Sequence, residues 1–393
     1  MSHRFLEAAE EVEQATKPGP AHPKGWEPHV VWDGRRGQVV GRTTERPKDW
    51  SDLITSMGLD PAEVEVVEPV QMRWWDANVG DGTIERLYYA KANVRRKRQT
   101  DPDIGEIIAG IGKAPRTAKK PATGNAYVFG ASDWQLGKKG TAEAVDRLTR
   151  SIEHSAKRLK SLRSKRSIGS TYIIGLGDIG EACSGHYDMQ TFTVELDGRE
   201  QSRLARNLIR YAIEEHRGLT ERIVVPAVAG NHGEKRSALS GKAYTTFGDN
   251  LDLEVFEQVA EAYEMAKASD VSFVIPQQTL SLVLDIGGVN VGIVHGHQAQ
   301  KTRGDHPSSK LANWWTNQIA GQRPVTHADL LFNGHFHQHW VRSLGPRTNI
   351  AFPTTDSGSQ WWDETAGLPS TSGSLTLVVG RDYPNGFGDI SFD

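Results

Sequence analysis

Five short segments bring together the residue types that hold divalent cations. They are Ser132-Asp133-Trp134-Gln135-Leu136-Gly137, Gly177-Asp178-Ile179-Gly180-Glu181, Gly230-Asn231-His232-Gly233-Glu234, His295-Gly296-His297 and Gly334-His335-Phe336-His337. Each ends an apolar run and mixes Asp, Asn or His with glycine, which lets ligand loops turn tightly and crowd together. Taken singly, a Gly-Asp or a Gly-Asn-His is usually a turn. In this order, each after a strand-like run, they form a donor set of carboxylates, imidazoles and an amide. Such a set suits phosphate-ester hydrolysis, which brings an anionic nucleophile to an anionic centre. Two divalent ions about 3.5–4 Å apart clamp the attacking and leaving oxygens and lower the pKa of a water between them. Asp178 is the natural bridging carboxylate. Mixed nitrogen and oxygen donors suit Mn, Fe, Zn or Co better than an all-oxygen Mg or Ca site does. The expected cofactor is two divalent metal ions, Mn first, with Mg, Fe, Zn or Co as alternatives.

The elements that must position these residues alternate. AYVFGAS, STYIIGLG and RIVVPAVAG are short apolar runs, each followed at once by a polar ligand type. Helical stretches are expected near 140–165, 196–217 and 248–267. A strand-rich half follows: VSFVIP, TLSLVLDIG, VNVGIVHG, ADLLFNGH, HWVRSL, NIAFP and SLTLVVG. Strand–loop–helix alternation predicts a layered α/β domain over 125–393, two sheets packed face to face with helices outside. Polar residues just past strand C-termini are where α/β folds place their sites. Before it stand a flexible arm over 1–25, a small α+β domain over 26–98 and a linker over 99–124. In the small domain, VVWDGRRGQVVG reads as a hairpin around Asp33-Gly34, and DWSDLITSMGLDP as a helix capped by Asp49 or Ser51 and stopped near Gly58.

The chain has 393 residues, a net charge of −3 and one cysteine, Cys183. No intrachain disulfide can form, which fits a reducing compartment, and Cys183 reads as a small buried filler. No apolar run is long enough for a membrane span, and the N-terminus lacks the apolar core of a secretory signal, so a cytoplasmic location is expected. Local charge is uneven: residues 91–120 carry nine Lys or Arg against three acids, and AKRLKSLRSKR (156–166) carries six and no acid. Either stretch could meet a polyanion or be a solvated face.

The ordered ligand set resembles that of the calcineurin-like metallophosphoesterases: D-x-H, G-D, G-N-H-[DE], a histidine usually followed by glycine, and G-H-x-H. The resemblance covers roughly residues 125–380, with four of the five segments fitting well. It implies a two-sheet sandwich with a dinuclear site on one edge. It further implies that Asp133 and His337 bind the first metal, that Asp178 bridges, and that Asn231, His295 and His335 bind the second. His232 would act beside the metals, contacting the phosphate and protonating the leaving oxygen. His297 is the alternate to His295. One position departs: Gln135 stands where the family has histidine, and an amide oxygen is a weaker, harder ligand than imidazole. A looser first-metal site is therefore expected, and a degenerate, non-catalytic site is the extreme of that departure.

The superfamily spans phosphatases, nucleotidases, cyclic-nucleotide phosphodiesterases and nucleases, and fold alone does not choose among them. The basic stretches, the appended domain and the pairs Trp74-Trp75, Trp314-Trp315 and Trp361-Trp362 lean towards DNA, because aromatic rings stack on bases; the competing reading packs the tryptophans into cores. The motif order is also similar, more loosely, to the SbcD-type DNA-repair exonucleases. That implies a nuclease of a bacteriophage or its host cytoplasm, with an ATPase or a homo-oligomer as partner. His186 and Arg303 border the ligand segments and are candidate phosphate contacts. The alternatives are a phosphatase or small-molecule phosphodiesterase on the same site.

Overall fold

The computed structural model describes residues 29–32, 36–44, 46, 50–56, 58–62, 64–78, 84–96, 108, 110–112, 124–187, 190–237, 239–356 and 372–392. Trp361-Trp362, the arm over 1–25 and the basic 113–120 stretch lie outside them. The chain divides into two compact units, Met1–Asp101 and Pro102–Asp393.

In the first unit, strands β1 (His29–Trp32), β2 (Arg36–Thr43), β3 (Val64–Asn78) and β4 (Ile84–Arg96) form an antiparallel sheet of order β1-β2-β4-β3. Side chains alternate across a strand. Ala90, Ala92 and Val94 of β4 therefore share one face, and with Val39 of β2 they pack on Leu53 and Ile54 of helix α1 (Ser51–Ser56). Trp74 of β3 is 59% exposed, and the guanidinium of Arg86 lies 4.2 Å over its ring.

The second unit holds two further sheets. One has the order β15-β14-β5-β6-β7-β8, with β5 (Ala126–Ala131), β6 (Ser170–Gly175), β7 (Arg222–Pro226) and β8 (Val271–Val274) parallel, then β14 (Leu375–Val379) and β15 (Phe387–Phe392) antiparallel at one edge. The other runs β12-β13-β11-β10-β9. Its strands are β9 (Ser281–Ile286), β10 (Val289–Val294), β11 (Leu330–Asn333), β12 (Trp340–Leu344) and β13 (Arg347–Ala351).

The period-2 pattern explains the layering. Ala126 and Val128 of β5 meet Val291, Ile293, Leu330 and Phe332 of the second sheet. Tyr127 and Phe129, between them, face helices α2 (Thr141–Lys165), α4 (Gly198–His216) and α5 (Leu251–Met265) through Leu148, Ile209 and Phe256. The outer face of the second sheet packs through Leu331 on α6 (Pro307–Ala320). The result is four layers, helices–sheet–sheet–helix, in a mixed α/β unit. A short helix α3 (Gln190–Thr193) lies in the loop after β6.

For two features with alternative readings, the side-chain positions decide how each is used. Trp314 and Trp315 are not a stacking platform: they are 9% and 1% exposed, packed with Leu311 and Val325 against the second sheet. Burying such large apolar area outweighs leaving it for a ligand. The basic end of α2 is divided: its arginines are tied to the fold, and Lys157, Lys160 and Lys165 lie exposed. Arg158 donates to the Asp389 carbonyl, Arg163 to the Leu219 carbonyl, and Arg166 pairs with Asp389 at 2.6 Å. Among the described residues, no helix is long and apolar enough to cross a membrane.

Candidate metal centre

All five ligand segments emerge from the C-terminal ends of strands, β5, β6 and β7 of one sheet and β10 and β11 of the other. Because the two sheets face each other, these loops meet at one edge of the sandwich. Backbone bonds lace them together: Asp133 donates to Gly177, Gln135 to Asp178 and Gly334 to His295. The crowding demands glycine. A Cβ on Gly230 would lie 2.1 Å from Asp178 Oδ1. The ligands themselves are held in the left-handed region: Asp133 (φ 52°), Gln135 (43°), Asp178 (53°), His335 (71°) and His337 (54°). Such conformations cost on the order of 1–3 kcal/mol each and cluster where the surroundings over-determine them.

The side chains converge. Asp178, His295 and His335 present ligand atoms within 4.8 Å of one another. His295 Nε2 lies 3.0 Å from Asp178 Oδ2 and 3.1 Å from Asn231 Oδ1. Its Nδ1 is 2.7 Å from the Leu176 carbonyl and must donate there, which aims Nε2 into the cluster, as a ligating imidazole requires. On the other side, Asp133 Oδ1 is buried with no hydrogen-bond partner, and His337 Nε2 lies 3.3 Å from it. His335 donates its backbone N–H to Asp133 Oδ2 at 2.9 Å. Gln135 places Nε2 3.4 Å from His337 Nε2.

Two buried carboxylates side by side require positive charge. Burial pushes both up, but His337 and His295 hold Asp133 below the usual range, and His295 and His232 hold Asp178 well below it. His295 is itself raised to about 9, because Asp178 outweighs the cost of its burial. Burial and the neighbouring His295 lower His335 to about 3, so its lone pair is free at neutral pH. An orphaned buried carboxylate oxygen, a second carboxylate, an amide oxygen and correctly aimed imidazoles are a donor set that fits divalent ions.

His232 stands beside this cluster. Its backbone N–H donates to Asp178 Oδ1 at 2.7 Å, and its Nδ1 lies 3.0 Å from the Glu181 carbonyl and 3.3 Å from Glu181 Oε2. Burial opposes its charge, but Asp178 and Glu181 prevail and raise it to about 10. His186 stacks on it, with centroids 4.6 Å and planes 4° apart, and both His186 ring nitrogens are buried without a hydrogen-bond partner. His297 lies at the margin, its ring centroid 5.4 Å from that of His295. Arg303 is exposed in the loop before α6, its carbonyl accepting from Asn313. Cys183 is half-buried, its sulfur accepting from Gln201.

Of four residues that support the site, Glu181 closes the Gly177–Glu181 segment and the other three had no signal in the motifs. Asp252, in the first turn of α5, accepts the backbone N–H groups of Asp178, Ile179 and Gly230. Glu181 braces His232. Lys138 and Asp356 pair at 2.5 Å beside Gln135. Only the acid at a helix start hinted at any of these.

No protein-family model and no curated protein matches the chain. Among solved structures, a Vps29 single mutant from Entamoeba histolytica is 14% identical, with TM-score 0.30, covering 68% of this chain and 99% of that one. A novel archaeal phosphodiesterase is 10% identical, with TM-score 0.30 and coverages of 68% and 99%. A hypothetical protein from Pyrococcus horikoshii is 12% identical, with TM-score 0.34 and coverages of 68% and 87%. Likenesses of this size decide nothing about the chemistry, which stands on the residues.

Proposed function

We propose that the chain is a metal-dependent phosphoesterase of the calcineurin-like kind, acting as a phosphodiesterase on DNA. The observation that carries this reading is the position of Asp178. One of its carboxylate oxygens lies 3.0 Å from His295 Nε2, the other accepts the His232 backbone N–H, and Asp178, His295 and His335 offer atoms within 4.8 Å of one another. Asp178, Asn231, His295 and His335 would hold one ion, and Asp133, His337 and Asp178 a second. When bound, such ions supply Lewis-acid charge and a water acidic enough to attack at neutral pH.

The chain's own residues do the rest. Glu181 fixes the His232 ring through Nδ1, leaving Nε2 to carry the proton that goes to the leaving oxygen. His186, stacked on His232, is the candidate that would back this ring and meet a phosphate oxygen. DNA as substrate is favoured by the exposed Trp74–Arg86 pair and the basic β4 end in the appended unit. The test is hydrolysis by the full chain with Mn of bis(p-nitrophenyl) phosphate, p-nitrophenyl phosphate and linear DNA. Cleavage of the diester and of DNA is expected. Cleavage of monoesters alone would replace the nuclease with a phosphatase.

A further inference from the structure

We propose that Lys138 is a built-in cation of the first-metal half: it holds the Gln135 amide oxygen out of the ligand set, so that the chain binds one divalent ion tightly and a second much more weakly. The inference rests on the metal-dependent reading above and concerns only how the two halves differ.

Gln135 has one atom that can ligate, its amide oxygen. That oxygen accepts from Lys138 Nζ at 3.1 Å. An ammonium can only donate, so the oxygen end of the amide must face Lys138 and the NH2 end must face away. The NH2 end lies 3.4 Å from His337 Nε2, the nitrogen that the first ion would use. Turning the amide to free its oxygen would set two donors against each other at Lys138.

Lys138 is itself pinned. Its ammonium lies 2.5 Å from Asp356 Oδ2, with the two side chains 18% and 4% exposed. Asp356 is fixed in turn: its backbone N–H reaches the Asp133 carbonyl at 3.2 Å, and its carbonyl accepts from Ser372 and Arg147. The relay Asp356–Lys138–Gln135–His337 therefore turns the amide NH2 and not its oxygen towards the first half, with the Lys138 charge offset by Asp356. In the second half the Asn231 amide oxygen faces His295 Nε2 at 3.1 Å, a ring nitrogen that can itself ligate, and not an ammonium. Changing a partner that supports a ligand typically alters metal affinity by about 10–100-fold.

The experiment is titration of metal-free full-length protein with Mn(II), followed by calorimetry and by electron paramagnetic resonance, which separates isolated from coupled ions. The wild type should take up one equivalent tightly and a second at least about tenfold more weakly, with an uncoupled spectrum at one equivalent. Lys138→Met, which frees the amide oxygen, and Gln135→His, which supplies an imidazole, should each tighten the second equivalent by about tenfold or more and bring in a coupled spectrum. Lys138→Arg should behave as wild type. A purely structural role for Lys138 would weaken metal binding in Lys138→Met instead of tightening it. Two equal equivalents in the wild type, or a second equivalent unmoved in Lys138→Met, would overturn the inference while leaving the phosphoesterase reading intact. No metal uptake at all would overturn both.

Discussion

The carboxylate of Asp252 accepts the backbone N–H of Asp178 at 2.9 Å, from a position 74 residues further along the chain. The same carboxylate takes Ile179 at 2.9 Å and Gly230 at 2.8 Å. One buried side chain thus ties the loop after β6 to the loop after β7, and these loops carry Asp178, Asn231 and His232. Asp252→Ala would strand three buried donors at about 1–3 kcal/mol each. A stability loss of roughly 3 kcal/mol or more in urea denaturation is expected, together with weakened Mn uptake. A variant as stable as wild type would contradict this tie.

His232 contacts the cluster through its backbone and presents its ring beside it. His232→Ala should therefore keep the metal stoichiometry of the wild type. Its kcat on bis(p-nitrophenyl) phosphate should fall by about 10²–10⁴-fold, the usual worth of a positioned acid. Full activity in this variant would remove the role assigned to the ring.

Gly230 has no room for a side chain, since a Cβ would meet Asp178 Oδ1 at 2.1 Å and its backbone nitrogen at 2.2 Å. Gly230→Ala should displace the bridging carboxylate and lower Mn affinity by about tenfold or more. The helical circular dichroism should be retained, because α2, α4 and α5 pack on the outer face of the first sheet and α6 on that of the second.

Much of this centre was legible because local rules and global fold agree there. Asp178, Asn231, His295 and His335 each follow a buried apolar run beside glycine, and the two-sheet architecture brings such loop ends to one edge. The helices around 140–165, 196–217 and 248–267 carry period-3.6 patterns and appear as α2, α4 and α5. What escaped reading is long-range or locally ordinary. Asp252 looks like any acid in a first helical turn, and its bonds to residues 22 to 74 positions away leave no periodic trace. Lys138 and Asp356 are 218 residues apart in sequence. Helix α6 was not anticipated, although Pro307 at its start and the His306 side chain accepting from Ser308 form a recognisable cap. The tryptophan pair within it was read from its bulk, and only the packing against Leu331 shows which way it turns.

Stability should depend on pH through His216, which is fully buried between Ser155 Oγ at 2.8 Å and the Ala212 carbonyl at 2.8 Å. Burial lowers it to about 4, against about 6.5 in the unfolded chain. The unfolded state therefore binds the proton more readily between these values. This contribution is fully present above about pH 6.5 and is lost as pH falls towards 4. His216→Gln should lose roughly 2 kcal/mol less stability than wild type between pH 7 and pH 5, measured as urea midpoints. An unchanged pH dependence would contradict the assignment.

The central claim is that Asp178 anchors a metal centre that hydrolyses phosphate diesters. Its most direct test is the Mn dependence of bis(p-nitrophenyl) phosphate hydrolysis by wild type and by Asp178→Asn, each before and after chelation. The account predicts wild-type turnover that chelation abolishes and Mn restores. It also predicts that Asp178→Asn loses both turnover and tight Mn uptake. Diester hydrolysis that survives chelation, or that persists undiminished in Asp178→Asn, would contradict it.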